Sequence, residues 1–215
     1  MQTKEHIFLE QIISQAVGFS QSIVWPYSDK HLRLASTKEE LLKIFSLRSK
    51  IYKDLGYQKE FPDLIDRYNF DSYDTHSAIF YTCNNKVITG TCRIIFDTSM
   101  HLPIDSNYSL DGLRKEKKIA ELSRFIISDE QKGLSPEFKL LIKGMYGVIA
   151  SNSIDIAVSV IAQKHFRLYK KVGGFKQEVL FNTYGHLTNN YMITTWDTEQ
   201  ISPFFKKAFL EEKVA

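Results

Sequence analysis

The chain has 215 residues, 43% hydrophobic and 25% charged, a composition that builds a globular core and excludes a disordered or fibrous chain. Its 28 basic and 25 acidic residues leave a net charge of +3, too balanced for the basic field that nucleic-acid binding requires. Two cysteines, Cys83 and Cys92, are too few for a disulfide framework or a cysteine-rich metal site, and read as reduced thiols in a cytoplasmic protein.

Residues 4–17 read as an amphipathic helix. Its apolar positions Ile7, Phe8, Leu9, Ile12 and Ile13 are interrupted by Glu10 and Gln11. No stretch reaches the roughly 18 apolar residues that a membrane span or anchor needs. Trp25-Pro26 breaks the pattern, and 31–35 is a short strand. Ser36-Thr37-Lys38-Glu39-Glu40 carries two overlapping capping boxes, so a helix starts there. Leu41, Phe45, Arg48, Tyr52 and Leu55 recur at helical spacing up to Gly56. An acidic, aromatic loop covers 57–74. Strands at 77–83 and 86–96 follow, joined by a tight turn at Asn84-Asn85. The stretch 97–118 is polar and irregular, and 119–128 is a strand. Ser135-Pro136-Glu137 begins a helix with serine as cap and proline in the first turn. Phe138, Leu141, Ile142, Met145 and Ile149 give that helix a buried face. A strand at 154–162, a helix at 165–172 ended by Gly173-Gly174, strands near 178–181 and 191–196, and a short terminal helix complete the chain. This order predicts one α/β domain with a mixed sheet covered by helices on both faces.

Four short clusters carry the chemistry. Asp71-Ser72-Tyr73-Asp74 sets two carboxylates three residues apart before a strand, and Gly90-Thr91-Cys92-Arg93 puts a cation inside a hairpin strand. Glu121-Leu122-Ser123-Arg124 places opposite charges in an otherwise apolar strand, and Arg48 sits on the apolar stripe of its helix. Charges at core positions are unfavourable by several kcal/mol unless paired and hydrogen-bonded. These clusters therefore meet one another or a polar ligand, and spacing alone leaves a structural ion-pair network and an active site both open. In a regular strand Glu121 and Arg124 point to opposite faces, so a shared site requires a bulge or break between them. Such a bulge would turn backbone N–H groups outward, where they can hold a carbonyl oxygen that gains charge. The 15 Phe and 11 Tyr fit either a filled core or an apolar tunnel.

Taken in this order, Phe70-Asp71-Ser72-Tyr73-Asp74, Gly90-Thr91-Cys92-Arg93-Ile94-Ile95 and Glu121-Leu122-Ser123-Arg124-Phe125 resemble the acyl-homoserine-lactone (autoinducer) synthases and the related N-acyl amino acid synthases. Arg48 with Tyr52 resembles the arginine and aromatic pair on the first helix of both groups. The resemblance implies a GNAT-type acyltransferase fold, with a mixed, mostly antiparallel central sheet. It makes 31–215 the acyltransferase domain and 1–30 a helical segment packing on or over its active site. It implies transfer of a fatty acyl group from acyl carrier protein or coenzyme A to the amine of an amino-acid-like acceptor, with the thioester as co-substrate and no bound cofactor or metal.

In the terms of that resemblance Glu121 is the general base, acting through water, with Arg124 organising the site. Ser123 is grouped with these catalytic residues, but it lacks a nucleophile-elbow pattern and reads as a strand hydrogen bond. Arg48, Tyr52, Tyr57, Asp71, Asp74 and Arg93 bind or position the acceptor. Phe125, Ile126, Ile127, Phe138 and Met145 meet the acyl chain or the phosphopantetheine arm, which lies between the strands at 119–128 and 154–162. Phe125, Phe138 and Met145 fit simple core packing equally well. Lys164, Arg167, Lys170 and Lys171 meet a carrier protein or form a solvated helix face. His76, His101, His165 and His186 show no metal-ligand spacing. Tyr57 stands nearest the place where autoinducer synthases carry a tryptophan, and Glu60-Phe61-Pro62-Asp63 is more like the amino acid synthases. Asn69 replaces an acidic residue often found two positions before the first aspartate. Gln131-Lys132-Gly133-Leu134 is a poor substitute for a glycine-rich pyrophosphate loop, which favours a carrier-protein donor. Two alternatives stay open: lactone synthesis from S-adenosylmethionine, and an inert acyl- or carrier-binding module.

Overall fold

The computed structural model describes residues 3–65, 67–128, 134–182, 184–187 and 190–210. Helix α1 spans Lys4–Ser20 and α2 spans Lys38–Asp54. Of the two capping boxes available to α2, the chain uses Thr37 with Glu40. Thr37 Oγ1 accepts the Glu40 N–H, and Glu40 Oε2 accepts the Thr37 N–H at 3.1 Å. Strands β1 (Leu32–Leu34), β2 (Ser77–Asn84), β3 (Val87–Phe96), β4 (Ile119–Ile127), β5 (Ile156–Ala162), β6 (Phe175–Phe181) and β7 (Tyr191–Trp196) form one sheet in the order β1-β2-β3-β4-β5-β7-β6. Only β4 and β5 run parallel, and the helix α4 (Pro136–Ser151) falls between them in the chain, as a parallel pair requires a crossover. Residues 131–133, part of the stretch weighed for pyrophosphate binding, lie outside the described residues.

Several boundaries differ from the sequence reading. The β2–β3 turn is Asn85-Lys86, both at positive φ, one residue later than expected. The stretch 97–118 holds a 3₁₀ turn, Pro103–Ser106, and a one-turn helix α3, Asp111–Arg114. The helix expected at 165–172 is a 3₁₀ turn, Gln163–His165, followed by α5, Phe166–Lys170. Strand β6 starts three residues early, at Phe175, because its pairing with Trp196 extends the ladder. The last described elements are α6, Pro203–Phe205, and one wide turn, Lys206–Leu210.

Apolar clusters cover both faces of the sheet, a third being formed by Ile95, Leu102, Ile104, Leu110, Ile119, Val158 and Ile193. Phe80, Cys92, Ile94, Ala120 and Leu122 face α4, together with Phe138, Leu141, Met145, Trp196 and Phe205. On the opposite face Ile79 and Tyr81 pack under α1 and α2 against Leu9, Ile12, Ile13, Ile44 and Phe45. Alternation along β3 sends Cys92 and Ile94 to one face and Arg93 to the other, which is why a cation fits inside an apolar strand. Gly90 is needed where β3 approaches β4, since a Cβ there would lie 3.0 Å from the Ile126 carbonyl oxygen. No helix among the described residues is long and apolar enough to cross a membrane.

Candidate active site

The site begins with one turn. Asp71 and Asp74 cap the 3₁₀ segment Ser72–His76 reciprocally: Asp71 Oδ1 accepts the Tyr73 N–H at 3.0 Å, and Asp74 Oδ2 accepts the Asp71 N–H at 2.9 Å. These carboxylates also meet arginines from three elements. Asp74 Oδ1 accepts Arg48 Nη1 from α2 at 2.8 Å and Arg93 Nη1 from β3 at 3.0 Å. Asp71 accepts Arg93 Nη1 at 2.6 Å and Arg124 Nη2 from β4 at 2.8 Å. Arg93 Nε donates to Ser123 Oγ at 2.9 Å. Burial works against the charge of Asp71, but Arg93 and Arg124 outweigh it and hold the carboxyl far below its ordinary range. Arg93 is likewise held above its ordinary value by the two aspartates, against its own burial.

Glu121 and Arg124 reach this cluster from the same strand through a bulge. Arg93 pairs with Ser123 and Thr91 with Ile126, so β4 spends three steps where β3 spends two. Arg124 and Phe125 fall outside the ladder register, and Arg124 adopts φ 52°, a conformation costing a non-glycine residue about 1 kcal/mol or more. Its side chain is fixed by more than Asp71. The guanidinium lies 4.4 Å from the Phe61 ring centroid and 5.3 Å from that of Tyr52. Arg124 Nη1 has no hydrogen-bond partner among the described residues.

Glu121 is 4% exposed, and its Oε2 accepts the Ile104 N–H at 2.9 Å. Burial is the main reason its carboxyl is pushed up to about 7 from an ordinary 4.5. The Ile104 amide and Arg93 oppose that rise, while Asp105 and Asp71 add to it. Three arginines and two aspartates leave one positive charge in the cluster, which an ionised Glu121 cancels.

A cavity of about 440 Å³ opens beside these residues. Glu121, Asp71, Arg93, Arg124, Tyr52, Tyr57, Phe61 and Tyr73 line it from the α2 side, and Phe125, Met145, Tyr169 and Phe175 from the α4 side. The cavity therefore passes through the sheet. It does so where β4 and β5 part: their pairing stops at Leu122–Ser159, and Val160, Ile161 and Ala162 then pair only with β7 while lining the cavity.

The remaining sequence candidates sort by depth. Arg48 and Asp74 are fully buried and stand behind the cavity wall. Phe138 lies behind Phe125, ring centroids 5.6 Å apart, and Ile126 is buried; neither these two nor Ile127 lines the cavity. Lys164 is exposed and contributes to the lining. Arg167, Lys170 and Lys171 are exposed nearby without lining it. Cys83 and Cys92 are free thiols.

Sequence reading missed several neighbours. The Ile104 amide has no side-chain signature, and Phe61, Tyr73 and Tyr169 are indistinguishable from core or loop aromatics until folded. Glu60 Oε2 accepts the His186 N–H at 2.7 Å, tying the loop of Phe61 to the β6–β7 loop that supplies Tyr184 and Leu187 to the cavity. His101 proves to sit with Asp97 and Asp105, one donor atom from each lying within 4.8 Å of the others, but both carboxylates are already in ion pairs with Arg114.

The family model "N-acyl amino acid synthase FeeM" matches residues 43–196, more than two thirds of the chain. The structure of FeeM, an N-acyl amino acid synthase from uncultured soil microbes, is 25% identical with a TM-score of 0.62, covering 78% of this chain and 91% of that one. The acyl-homoserine-lactone synthase LasI is 18% identical with a TM-score of 0.61, covering 84% and 95% of the two chains. BjaI, a CoA-dependent acyl-homoserine lactone synthase solved with SAM and isopentyl-CoA, is 15% identical with a TM-score of 0.57, covering 80% and 81%. A comparison with curated proteins gave no match. The LasI and BjaI likenesses establish the GNAT-like fold, and the FeeM match covers the acidic turn, the bulged strand and the parted strands together. The chain belongs to the FeeM N-acyl amino acid synthase family and is an acyltransferase.

Proposed function

We propose that the chain transfers a fatty acyl group from an acyl carrier protein thioester, or from acyl-CoA, to the amine of an amino-acid-like acceptor. The observation that carries this reading is Glu121, a buried carboxylate poised near neutrality at the wall of a cavity that joins an arginine-aspartate cluster to an apolar passage. An α-ammonium must lose a proton before it can attack, and a base titrating near 7 suits that task at neutral pH. The amine then attacks the thioester carbonyl, forming the C–N bond. As the tetrahedral adduct collapses, the C–S bond breaks and the thiol leaves with the second amine proton. Arg124 and Phe125, outside the ladder register, offer backbone N–H groups to the carbonyl oxygen as it gains charge.

Arg124 Nη1, without a hydrogen-bond partner among the described residues, supports an acceptor that bears a carboxylate, and Tyr52, Tyr57 and Phe61 give it an aromatic wall. The parted edges of β4 and β5 suit the amides of a phosphopantetheine arm, and Phe125 and Met145 suit the acyl chain. Lys164 at the cavity, with Arg167, Lys170 and Lys171 beside it, supports an acidic carrier protein as donor in the cytoplasm. Helix α1 packs against α2 and the turn holding Asp71 and Asp74, which supports the N-terminal segment as a brace for the site rather than a separate domain.

Lactone synthesis from S-adenosylmethionine is the second reading, favoured by the fold shared with LasI and BjaI. Incubating the protein with acyl carrier protein and CoA thioesters, amino acids and S-adenosylmethionine, then weighing products, tests both. An N-acyl amino acid is the expected product; a lactone overturns the acceptor assignment, and no amide overturns the reaction.

A further inference from the structure

The orientation of Glu121 does not come from the arginine-aspartate cluster. Among the described residues its hydrogen bond comes from the backbone N–H of Ile104, in the 3₁₀ turn Pro103–Ser106. That turn belongs to a segment with little regular structure, and a single backbone donor fixes a carboxylate only if the turn is fixed. Arg114 does this. From α3 its Nε donates to Asp97 Oδ2 at 2.6 Å and its Nη2 to Asp97 Oδ1 at 3.2 Å, at the end of β3. Its Nη1 donates to Asp105 Oδ1 at 2.7 Å, inside the turn, and its Nη2 also reaches Asp105 Oδ2. Asp105 Oδ2 in turn accepts the Leu102 N–H at 2.8 Å, closing the turn from within. One guanidinium thus forks two carboxylates, one on the sheet and one next to the residue whose amide holds Glu121.

We infer that Arg114 is a positioning residue for the acyl transfer: by clamping Asp97 to Asp105 it sets the Ile104 amide against Glu121 and so fixes the orientation of the base. The inference rests on the base role proposed above for Glu121. A surface ion pair adds little to stability, and Arg114, Asp97 and Asp105 are each partly exposed, with side chains 16–21% accessible. The geometry of the clamp, aimed through one amide at the buried carboxylate, accounts for the pairing better than stability does.

The consequence is a measurable titration. Glu121 faces Arg93 from β3, Asp105 from the turn, Asp71 from the acidic turn, and the hydroxyls of Tyr73 and Tyr184. Loosening the turn withdraws the Ile104 N–H, which favours the ionised form, and frees Asp105 from its counter-ion, which disfavours that form further. Both changes raise the Glu121 titration.

The experiment uses full-length protein labelled with carboxyl-¹³C glutamate, the Glu121 resonance being assigned by its loss in Glu121→Gln. In Arg114→Met the midpoint is expected to rise by about half a pH unit or more, and to return towards wild type in Arg114→Lys. The Ile104 amide is expected to exchange faster in Arg114→Met while β3 and β4 amides keep their protection. Asp97→Asn removes one half of the clamp without touching the groups that face Glu121; it gives a smaller rise in the same direction and serves if Arg114→Met does not fold. An unchanged midpoint in a folded clamp variant overturns the inference. Because the readout needs no substrate, failure of the proposed base role, seen as full turnover in Glu121→Gln, and failure of the proposed reaction, seen as no amide product, are separate results.

Discussion

Glu121 and Arg124 are three residues apart on one strand and yet open into the same cavity, because β4 carries one residue more than β3 between Ser123 and Ile126. A plain strand would put one of the two on the α4 side of the sheet. The bulge keeps both with Asp71 and Arg93, and its strain at Arg124 is held by the Asp71 ion pair and the Phe61 and Tyr52 rings. The strained residue is also one of the charged residues that line the cavity.

Glu121→Gln is expected to lower turnover by about 10²–10⁴-fold with binding of the thioester retained. Wild-type activity should rise with pH through about 7, as the Glu121 carboxyl ionises. Stability runs the other way. A carboxyl raised in the folded protein keeps a proton that the unfolded chain releases, so its contribution is present below pH 4.5 and lost as pH rises to about 7. Glu121→Gln should therefore be more stable than wild type at pH 8, by roughly 1–3 kcal/mol, and show little gain at pH 4. Urea titrations at the two pH values measure it.

Arg93 and Arg124 share Asp71 but should separate in their effects. Arg93→Met leaves buried Asp74 with Arg48 alone and strips one partner from Asp71; a loss of about 3–5 kcal/mol is expected. Arg124→Asn keeps a residue tolerant of positive φ and leaves Asp71 paired to Arg93. Its thermal midpoint should stay nearer wild type while turnover drops about a hundredfold or more. Equal losses of stability in the two variants would make Arg124 structural.

Phe125 stands at the α4 side of the cavity, in edge contact with Phe138 and Tyr169. Phe125→Ala widens that passage and should shift preference to acyl chains longer by two or more carbons. At about 0.8 kcal/mol per buried methylene, two carbons amount to roughly tenfold in relative kcat/KM. A thioester series of graded length reads it.

Reversing charge at Lys164 and Arg167 should raise KM for an acyl carrier protein donor about tenfold and weaken its salt dependence. The same double variant should handle acyl-CoA almost as wild type does, because the carrier surface is absent. Equal effects on both donors would place these cations at the thioester instead of at a carrier.

Much of the fold was legible because local signals agreed with it. Thr37 with Glu40, Ser135 with Pro136, and the alternation that buries Ile94 and exposes Arg93 to the site are short-range patterns with one physical solution. The β2–β3 turn moved by one residue because Asn84, Asn85 and Lys86 all accept turn conformations, and only pairing across the hairpin chooses among them. The 3₁₀ turn at Pro103–Ser106 carried no apolar period to announce it.

The sequence by itself determined which charges lie in strands and helices that must be buried, and hence that Arg48, Arg93, Glu121 and Arg124 need partners, with Asp71 and Asp74 available in the acidic loop before β2. It also carried the motif order that marks the family. Only the tertiary structure decided who pairs with whom, that β4 parts from β5 after Leu122, and that a backbone amide at Ile104 meets Glu121. The physical reason is that burial is a property of one segment, whereas a bulge, a gap between strands and a donated N–H are relations between segments far apart in the chain.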